Sequence, residues 1–124
     1  MNVFVYGSLK KGYWNNSLLR DSEFLYNATT SESKFDMLDL GSFPAVVDGG
    51  LKINGEVYKV NRRTLEMLDA LEGNGSFYNR EEVLVNSDGG DNLAWIYIFC
   101  GTGGGSRGRN LHLENNTISW RVVV

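Results

Sequence analysis

The chain has 124 residues, of which 42% are hydrophobic, 22% charged and 12% aromatic. This composition is typical of a single folded domain, expected to span residues 1–124, and argues against a disordered or membrane-embedded chain. A net charge of −3 argues against a nucleic-acid binder, and one Cys and one His are too few for a disulfide framework or a Cys/His zinc cage.

The N-terminal residues, MNVFVYGSLKKG, lack the basic segment and apolar stretch of a secretory signal. The apolar runs elsewhere are shorter than the roughly 20 residues that a membrane-spanning helix needs. We therefore expect a cytoplasmic protein that binds neither membranes nor nucleic acids. Nothing in the sequence demands an assembly larger than a monomer.

Short apolar runs rich in β-branched and aromatic residues alternate with glycine-rich turns along the chain. They predict strands over residues 2–6, 51–60, 82–85, 94–100 and 120–124. Residues 88–91 (DGGD) are a plausible hairpin connection, and the tract GTGGGSRGR at 101–109 is expected to be a mobile loop. Several short strands in so small a chain favour a closed or nearly closed sheet, because closure removes exposed edges.

One segment, residues 61–73, has the pattern of a helix. Asn61 is a capping residue, Gly73 follows the last helix former, and three leucines at three-residue steps, Leu65, Leu68 and Leu71, predict a buried stripe. A second, weaker helix is predicted over residues 17–22.

Glu72 is the strongest candidate for chemistry in this helix. At about 100° per residue it lies about 20° from Leu65 and about 40° from Leu68, on the side that faces the core. Burial, together with its place at the C-terminal end of the helix, would raise its pKa and suit it to proton transfer near neutral pH. The alternative is a partly exposed glutamate paired with Arg80 or Lys59.

The first predicted strand leads directly into Gly7 and Ser8. A strand that ends in Gly-Ser can present successive backbone N–H groups to an anion such as a carboxylate. The alternative is an ordinary turn between a strand and a loop.

Other polar residues are weaker candidates. Ser8 is a conceivable nucleophile, but the single His112 lies in a polar, glycine-rich stretch that favours a solvated loop histidine. Cys100 ends an apolar strand and is expected to be a buried small hydrophobe. Tyr78 and Tyr97 are either substrate contacts or core aromatics whose hydroxyls reach a partner.

Six short motifs occur in the order found in one known family. They are YGSL at residues 6–9, GSFPA at 41–45, GEVY at 55–58, LDALEG at 68–73 followed by YNR at 78–80, AWIY at 94–97 and ISWR at 118–121. Together they resemble the γ-glutamylcyclotransferase-like superfamily, in particular its AIG2-like and γ-glutamylamine cyclotransferase branch. The resemblance covers nearly the whole chain and departs at residues 74–76, where many relatives have a Pro-containing loop, and in the glycine-rich residues 101–116.

The resemblance implies an α+β fold, a small mixed β-barrel flanked by short helices, with the site at the barrel mouth. It implies a γ-glutamyl cyclotransferase that needs no metal or other cofactor and acts on a small γ-glutamyl molecule. In that reaction the substrate's α-amine attacks its own γ-carbonyl and releases 5-oxoproline and a free amine or amino acid.

The same resemblance assigns roles by position. Glu72 matches the family's acid/base, and Tyr78 matches its active-site tyrosine. The backbone that would anchor the glutamyl group belongs to Tyr6, Gly7, Ser8 and Leu9. The leaving amine is expected to contact residues 74–76 and 101–109, which lie outside the motifs.

Two other functions remain open from the sequence. A non-catalytic member of the same fold would keep the pocket to bind a small ligand or a partner. A hydrolase that depends on Ser8 would need a base to activate the serine.

Overall fold

The computed structural model describes residues 1–100 and 108–122. Within these residues the chain forms nine strands, one α-helix and a short 3-10 helix. In chain order the elements are β1 (Asn2–Val5), the 3-10 helix (Asn16–Leu19), β2 (Glu23–Thr30), β3 (Phe35–Asp39), β4 (Pro44–Asp48), β5 (Lys52–Lys59), α1 (Arg62–Glu72), β6 (Tyr78–Ser87), β7 (Gly90–Phe99), β8 (Leu111–Glu114) and β9 (Thr117–Trp120). Neither described helix is long and apolar enough to cross a membrane.

Five of the strands close into a small barrel. Their order is β1-β7-β6-β2-β5, and β1 closes the ring by pairing with β5 as well as with β7. The sheet is mixed, because β1 runs parallel to β7 and antiparallel to β5. Strands β9 and β8 extend the sheet from β5, and β3 and β4 form a separate hairpin. The predicted mixed barrel is confirmed.

Strand β1 is buried on both faces, which explains its unbroken apolar sequence. Phe4 and the following Tyr6 belong to the cluster of side chains that fills the barrel. Val3 and Val5, which alternate with them, pack in a second cluster that includes Leu65 of α1. Successive side chains of a strand point to opposite faces, so a strand between two cores needs apolar residues at every position.

The predicted helix is confirmed, together with both of its ends. Asn61 caps α1, since its side-chain oxygen accepts a hydrogen bond of 2.8 Å from the N–H of Thr64. Gly73 ends the helix in the left-handed conformation, with φ of 61°. Leu65 and Leu68 are buried as predicted, but Leu71 is 45% exposed. The expectation that Leu71 belongs to the core was therefore wrong.

Several other elements differ from the sequence predictions. Residues 16–19 form a 3-10 helix where a helix over 17–22 was predicted. A strand was predicted over 120–124, but the strand in this region is Thr117–Trp120, and residues 123–124 lie outside the described residues. The hairpin at 88–91 is confirmed, with Ser87 paired with Gly90. Strands β2, β3, β4 and β8 were missed. Of the predicted loop at 101–109, residues 101–107 lie outside the described residues.

Gly55 on β5 is a site where the barrel tolerates no side chain. A Cβ there would collide with the carbonyl oxygen of Val5 and lie 2.8 Å from Cζ of Phe4, inside the barrel. We expect Gly55→Ala to lower the free energy of unfolding by about 1–3 kcal/mol through overpacking, measured by urea denaturation. Gly50→Ala is the matched control, because a Cβ at Gly50 meets open space. Equal losses in the two variants would contradict this account of barrel closure.

Candidate active site

A cavity of about 240 Å³ lies where β1 leaves the barrel, beside the C-terminal end of α1. Its lining brings together Glu72, Tyr78 and residues 6–9, to which the family resemblance assigned the acid/base and the binding of the glutamyl group. In chain order the lining residues are Phe4, Val5, Tyr6, Gly7, Ser8, Leu9, Asn15, Phe43, Pro44, Leu71, Glu72, Tyr78 and Tyr97. Residues 74–76, expected to contact part of the ligand, do not belong to this lining.

Gly7 is required by the close approach of the β3–β4 connection. A Cβ on Gly7 would lie 2.6 Å from Cδ of Pro44, which is closer than side-chain atoms pack. The carbonyl oxygen of Pro44 in turn accepts a hydrogen bond of 3.0 Å from the hydroxyl of Tyr78. The close approach of Gly7 and Pro44 therefore sets the width of the cavity where the segment after β1 meets the β3–β4 connection.

The segment after β1 is a rigid turn with free donors. Asn15 Nδ2 donates to Ser8 Oγ at 2.9 Å, Asn16 Nδ2 donates to the carbonyl oxygen of Leu9 at 2.8 Å, and the N–H of Lys10 donates to the carbonyl oxygen of Gly7. The backbone N–H groups of Gly7, Ser8 and Leu9 donate no hydrogen bond to another described residue. These donors are suited to an anion at the edge of the cavity.

Lys10 anchors this turn and was missed from the sequence. It is a buried lysine whose Nζ donates a hydrogen bond of 2.7 Å to the carbonyl oxygen of Trp120 at the end of β9. Burial lowers the pKa of Lys10. The position of Lys10 directly after the YGSL motif was the available signal, but no sequence pattern points to the distant carbonyl of Trp120.

Glu72 ends α1 and enters the cavity beside Leu71. Burial raises the pKa of its carboxyl to about 7. No ion pair among the described residues includes Glu72, and the guanidinium of Arg80, its suggested partner, pairs with Asp69 instead, at 2.8 Å. The carboxyl is therefore desolvated without compensation by a cation, and it changes protonation state near neutral pH.

Three tyrosine hydroxyls border the cavity, and each one already donates its proton to the protein. Tyr6 donates to the carbonyl oxygen of Tyr97 at 2.6 Å, Tyr78 donates to Pro44, and the Tyr97 hydroxyl donates to Asp69 Oδ1 at 2.7 Å. Burial raises the pKa of all three phenols above its ordinary value, so they stay protonated. What each oxygen can still offer a ligand is a lone pair.

Asp69 holds the Tyr97 hydroxyl in place and was also missed from the sequence. The same Oδ1 accepts from Arg80 Nε, whose guanidinium stacks 4.4 Å from the ring centre of Trp95. Asp69 lies three residues before Glu72, which places both carboxylates on neighbouring positions of one helix face. The three-residue spacing of Asp69 and Glu72 is visible in the sequence. The cation that pairs with Asp69, however, is Arg80 of β6.

The weaker candidates lie elsewhere or lack partners. His112 is on β8, not in a solvated loop, and its Nε2 is buried without a hydrogen-bond partner among the described residues. It lines a different cavity from Ser8, so no imidazole borders the serine among the described lining residues.

Cys100 is exposed, so the expectation of a buried cysteine was wrong. In residues 1–100 and 108–122, no three His, Cys, Asp or Glu side chains are grouped to hold a metal ion.

Comparisons with known proteins find a matching family, similar sequences and similar structures. The family model described as AIG2-like gamma-glutamyl cyclotransferase matches residues 3–121. A Methanocaldococcus jannaschii protein provisionally named a γ-glutamylcyclotransferase is 41% identical over 106 residues, 80% of this chain and 87% of its own. The Niallia circulans γ-L-glutamyl-butirosin B γ-glutamyl cyclotransferase is 28% identical over 127 residues, 97% of this chain and 75% of its own. The crystal structure of an AIG2-like protein from Mus musculus superposes with a TM-score of 0.76 at 27% identity, covering 82% of this chain and 78% of that one.

The desolvation of Glu72 predicts a specific pH dependence of stability. The pKa of Glu72 is about 7 in the folded state against an ordinary 4.5, so the folded protein holds this proton more tightly. The resulting stabilisation is fully present below about pH 4.5 and is lost as the pH rises through 7. Relative to Glu72→Gln, the wild type should lose about 2–3 kcal/mol of unfolding free energy between pH 5 and pH 8, measured by urea denaturation.

Glu66→Gln is the control for this measurement, because Glu66 is an exposed glutamate of the same helix. Its unfolding free energy should follow that of the wild type at every pH. If the unfolding free energies of the wild type and Glu72→Gln changed with pH by equal amounts, a raised pKa at Glu72 would be contradicted.

Proposed function

Because the chain belongs to the AIG2-like γ-glutamyl cyclotransferase family, we propose that it cyclises γ-glutamyl amides and releases 5-oxoproline and a free amine. The observation that carries the proposal concerns Glu72, a desolvated carboxylate that has no ion-pair partner among the described residues. It shares one small cavity with the N–H groups of residues 7–9, which donate no hydrogen bond to another described residue. The carboxylate of Glu72 accepts a proton near neutral pH, and the N–H groups of residues 7–9 bind an anion. An amino-acid head group, with its ammonium and its carboxylate, needs both.

The carboxylate of the glutamyl group would bind to the backbone of Gly7, Ser8 and Leu9. The contacts of Asn15 and Asn16 fix the turn that carries these N–H groups, and within the described part of the chain the groups donate no hydrogen bond, so they need little reorganisation on binding. The α-ammonium would face Glu72 and the lone pairs of the tyrosine hydroxyls, whose own protons are already committed. This arrangement distinguishes the two charged groups of the substrate.

The chemical step needs a base and a bound, folded substrate. Ionised Glu72 takes one proton from the α-ammonium, and the resulting amine attacks the γ-carbonyl carbon to close a five-membered ring. The bond from that carbon to the leaving nitrogen then breaks. Glu72 returns its proton to the leaving nitrogen, and a second proton from the ring nitrogen completes the departing ammonium.

Much of the rate enhancement would come from holding the substrate in its folded conformation. Attack within one molecule has an effective molarity that can supply about 7–11 kcal/mol when the reacting atoms are aligned. The tyrosines, held by Pro44 and Asp69, would act by positioning, because their raised pKa keeps them protonated. Glu72 is the acid/base, and residues 6–9 and Tyr78 bind the substrate.

The proposal is tested by release of 5-oxoproline from a panel of γ-glutamyl amines and γ-glutamyl dipeptides, measured by mass spectrometry. We expect Glu72→Gln to keep the fold and to lose roughly 10²–10⁴-fold in kcat/KM, the usual contribution of a general base. Glu66→Gln, the exposed control on the same helix, should retain wild-type activity.

The other outcomes separate the alternatives. If kcat/KM of Glu72→Gln stayed within tenfold of the wild-type value, the role of Glu72 as the acid/base would be contradicted. Binding of γ-glutamyl compounds by the wild type without any release of 5-oxoproline would favour the non-catalytic binding module.

A further inference from the structure

Two side chains of the GEVY motif, Glu56 and Tyr58, reach the turn after β1 without belonging to the described lining of the cavity. They lie two residues apart on β5, so both side chains are on one face of the strand. Glu56 is paired with Val5, the last residue of β1. Its side chain therefore lies level with the start of the turn that carries the N–H groups of residues 7–9.

One carboxyl oxygen of Glu56 holds two groups at this turn. Oε1 accepts a hydrogen bond of 3.0 Å from the backbone N–H of Lys11 and one of 3.1 Å from the hydroxyl of Tyr58. The Tyr58 oxygen in turn accepts a hydrogen bond of 3.1 Å from Asn16 Nδ2, which also donates to the carbonyl oxygen of Leu9 at 2.8 Å. The carboxyl group therefore holds the turn at two points, directly at residue 11 and through two side chains at residue 9.

The surroundings of Tyr58 fix this chain of hydrogen bonds. Tyr58 is 3% exposed and packs in the cluster that contains Val3 and Val5 of β1. Burial raises the pKa of its phenol to about 12, so the hydroxyl stays protonated and donates to the carboxyl group. Between the two anchored points, Lys10 Nζ binds the carbonyl oxygen of Trp120. Residues 9, 10 and 11 are thus each tied to another part of the chain.

The carboxyl group of Glu56 is useful at this place as an acceptor and not as a charge. An ionised carboxylate beside the turn repels the carboxylate of a glutamyl group that binds to residues 7–9. Both of its hydrogen bonds go to Oε1, and a neutral amide oxygen can accept the same two. An amide in place of the carboxyl group therefore separates the hydrogen bonds from the charge.

Resting on the proposed function, we propose that Glu56 is a positioning residue that holds the turn after β1 in the conformation that binds the carboxylate of the glutamyl group. It acts through the N–H of Lys11 and the hydroxyl of Tyr58, and not on the reacting atoms. The carboxylate of the glutamyl group takes no part in bond formation, so it is bound equally before and during the reaction. Glu56 therefore lowers KM and leaves kcat unchanged.

A pair of variants at Glu56 tests the hydrogen bonds against the charge. Glu56→Ala should raise KM about fivefold and keep kcat within twofold, for the γ-glutamyl compound that the wild type cyclises fastest. Glu56→Gln, which keeps the acceptor oxygen, should keep both constants within twofold. Glu82→Ala, at an exposed glutamate of β6, is the control. An unchanged KM in Glu56→Ala, or an equal rise in Glu56→Gln, would overturn the proposal.

Tyr58→Phe tests the second anchor and keeps the ring that packs beneath α1. We expect KM to rise about threefold and the pH midpoint of kcat/KM to stay near 7, because Glu72 keeps its surroundings. Tyr26→Phe removes a hydroxyl from a half-buried tyrosine of β2 outside this network and should have no effect. A purely structural residue would change the folded fraction, which lowers apparent kcat at constant KM. That result would refute positioning, and Tyr58→Phe decides the question if Glu56→Ala does not fold.

Amide hydrogen exchange in the free protein separates this inference from the proposed function. Measured by NMR, exchange of the Lys11 N–H should be about fivefold faster in Glu56→Ala and unchanged in Glu56→Gln, with the amides of β6 unaffected in both. Equal Lys11 exchange in the wild type and Glu56→Ala would overturn the anchor, whatever the activity. Faster exchange with no 5-oxoproline from any compound in the wild type would uphold the anchor and refute the proposed reaction. Release of 5-oxoproline with an unchanged KM in Glu56→Ala would do the reverse.

Discussion

The closure of the barrel by β1 is the constraint on which the rest of the structure depends. This strand pairs with β5 on one side and β7 on the other, and it is buried between the barrel interior and the cluster beneath α1. A strand held so tightly fixes the direction of the turn that follows it. The fold itself thus sets the N–H groups of residues 7–9, which bind no other residue that the structure describes, and Gly7 permits the approach of Pro44 that narrows the cavity.

The desolvation of Glu72 is the second consequence of this packing. Leu65 and Leu68 seat α1 on the barrel, and the helix then carries Glu72 over the cavity at its last turn. The buried leucines hold the helix that carries this carboxyl, and no cation among the described residues pairs with it. Asp69, one turn earlier, does have a cation, and it accepts the proton of the Tyr97 hydroxyl. Asp69 and Glu72 thus have different surroundings, although they lie on one face of the helix.

The sequence predicted the elements whose pattern is local. Helical periodicity and caps located α1 and directed Glu72 toward the interior, but periodicity cannot tell where the core ends and a cavity begins, so Leu71 was misplaced in the core. The missed strand β2 forms through pairing with the distant strands β5 and β6. Strands β3, β4 and β8 belong to local hairpins, β3 with β4 and β8 with β9, but their sequence pattern did not predict them. His112 lies on β8, although its glycine-rich surroundings resemble a loop. The three-residue spacing between Asp69 and Glu72 is visible in the sequence. The partners of Asp69, which are Arg80 and Tyr97, lie on β6 and β7 and could not be predicted from that spacing.

The pH dependence of kcat/KM for release of 5-oxoproline tests most directly whether Glu72 is the base, because this parameter reports ionisations of the free enzyme. We predict a rate that rises with a midpoint near pH 7, as the raised pKa of Glu72 requires. The chain has one histidine, so the profile is also measured on His112→Gln, where the midpoint should be unchanged. A profile that is flat from about pH 5.5 to pH 8, or a midpoint that disappears with the histidine, would contradict the account.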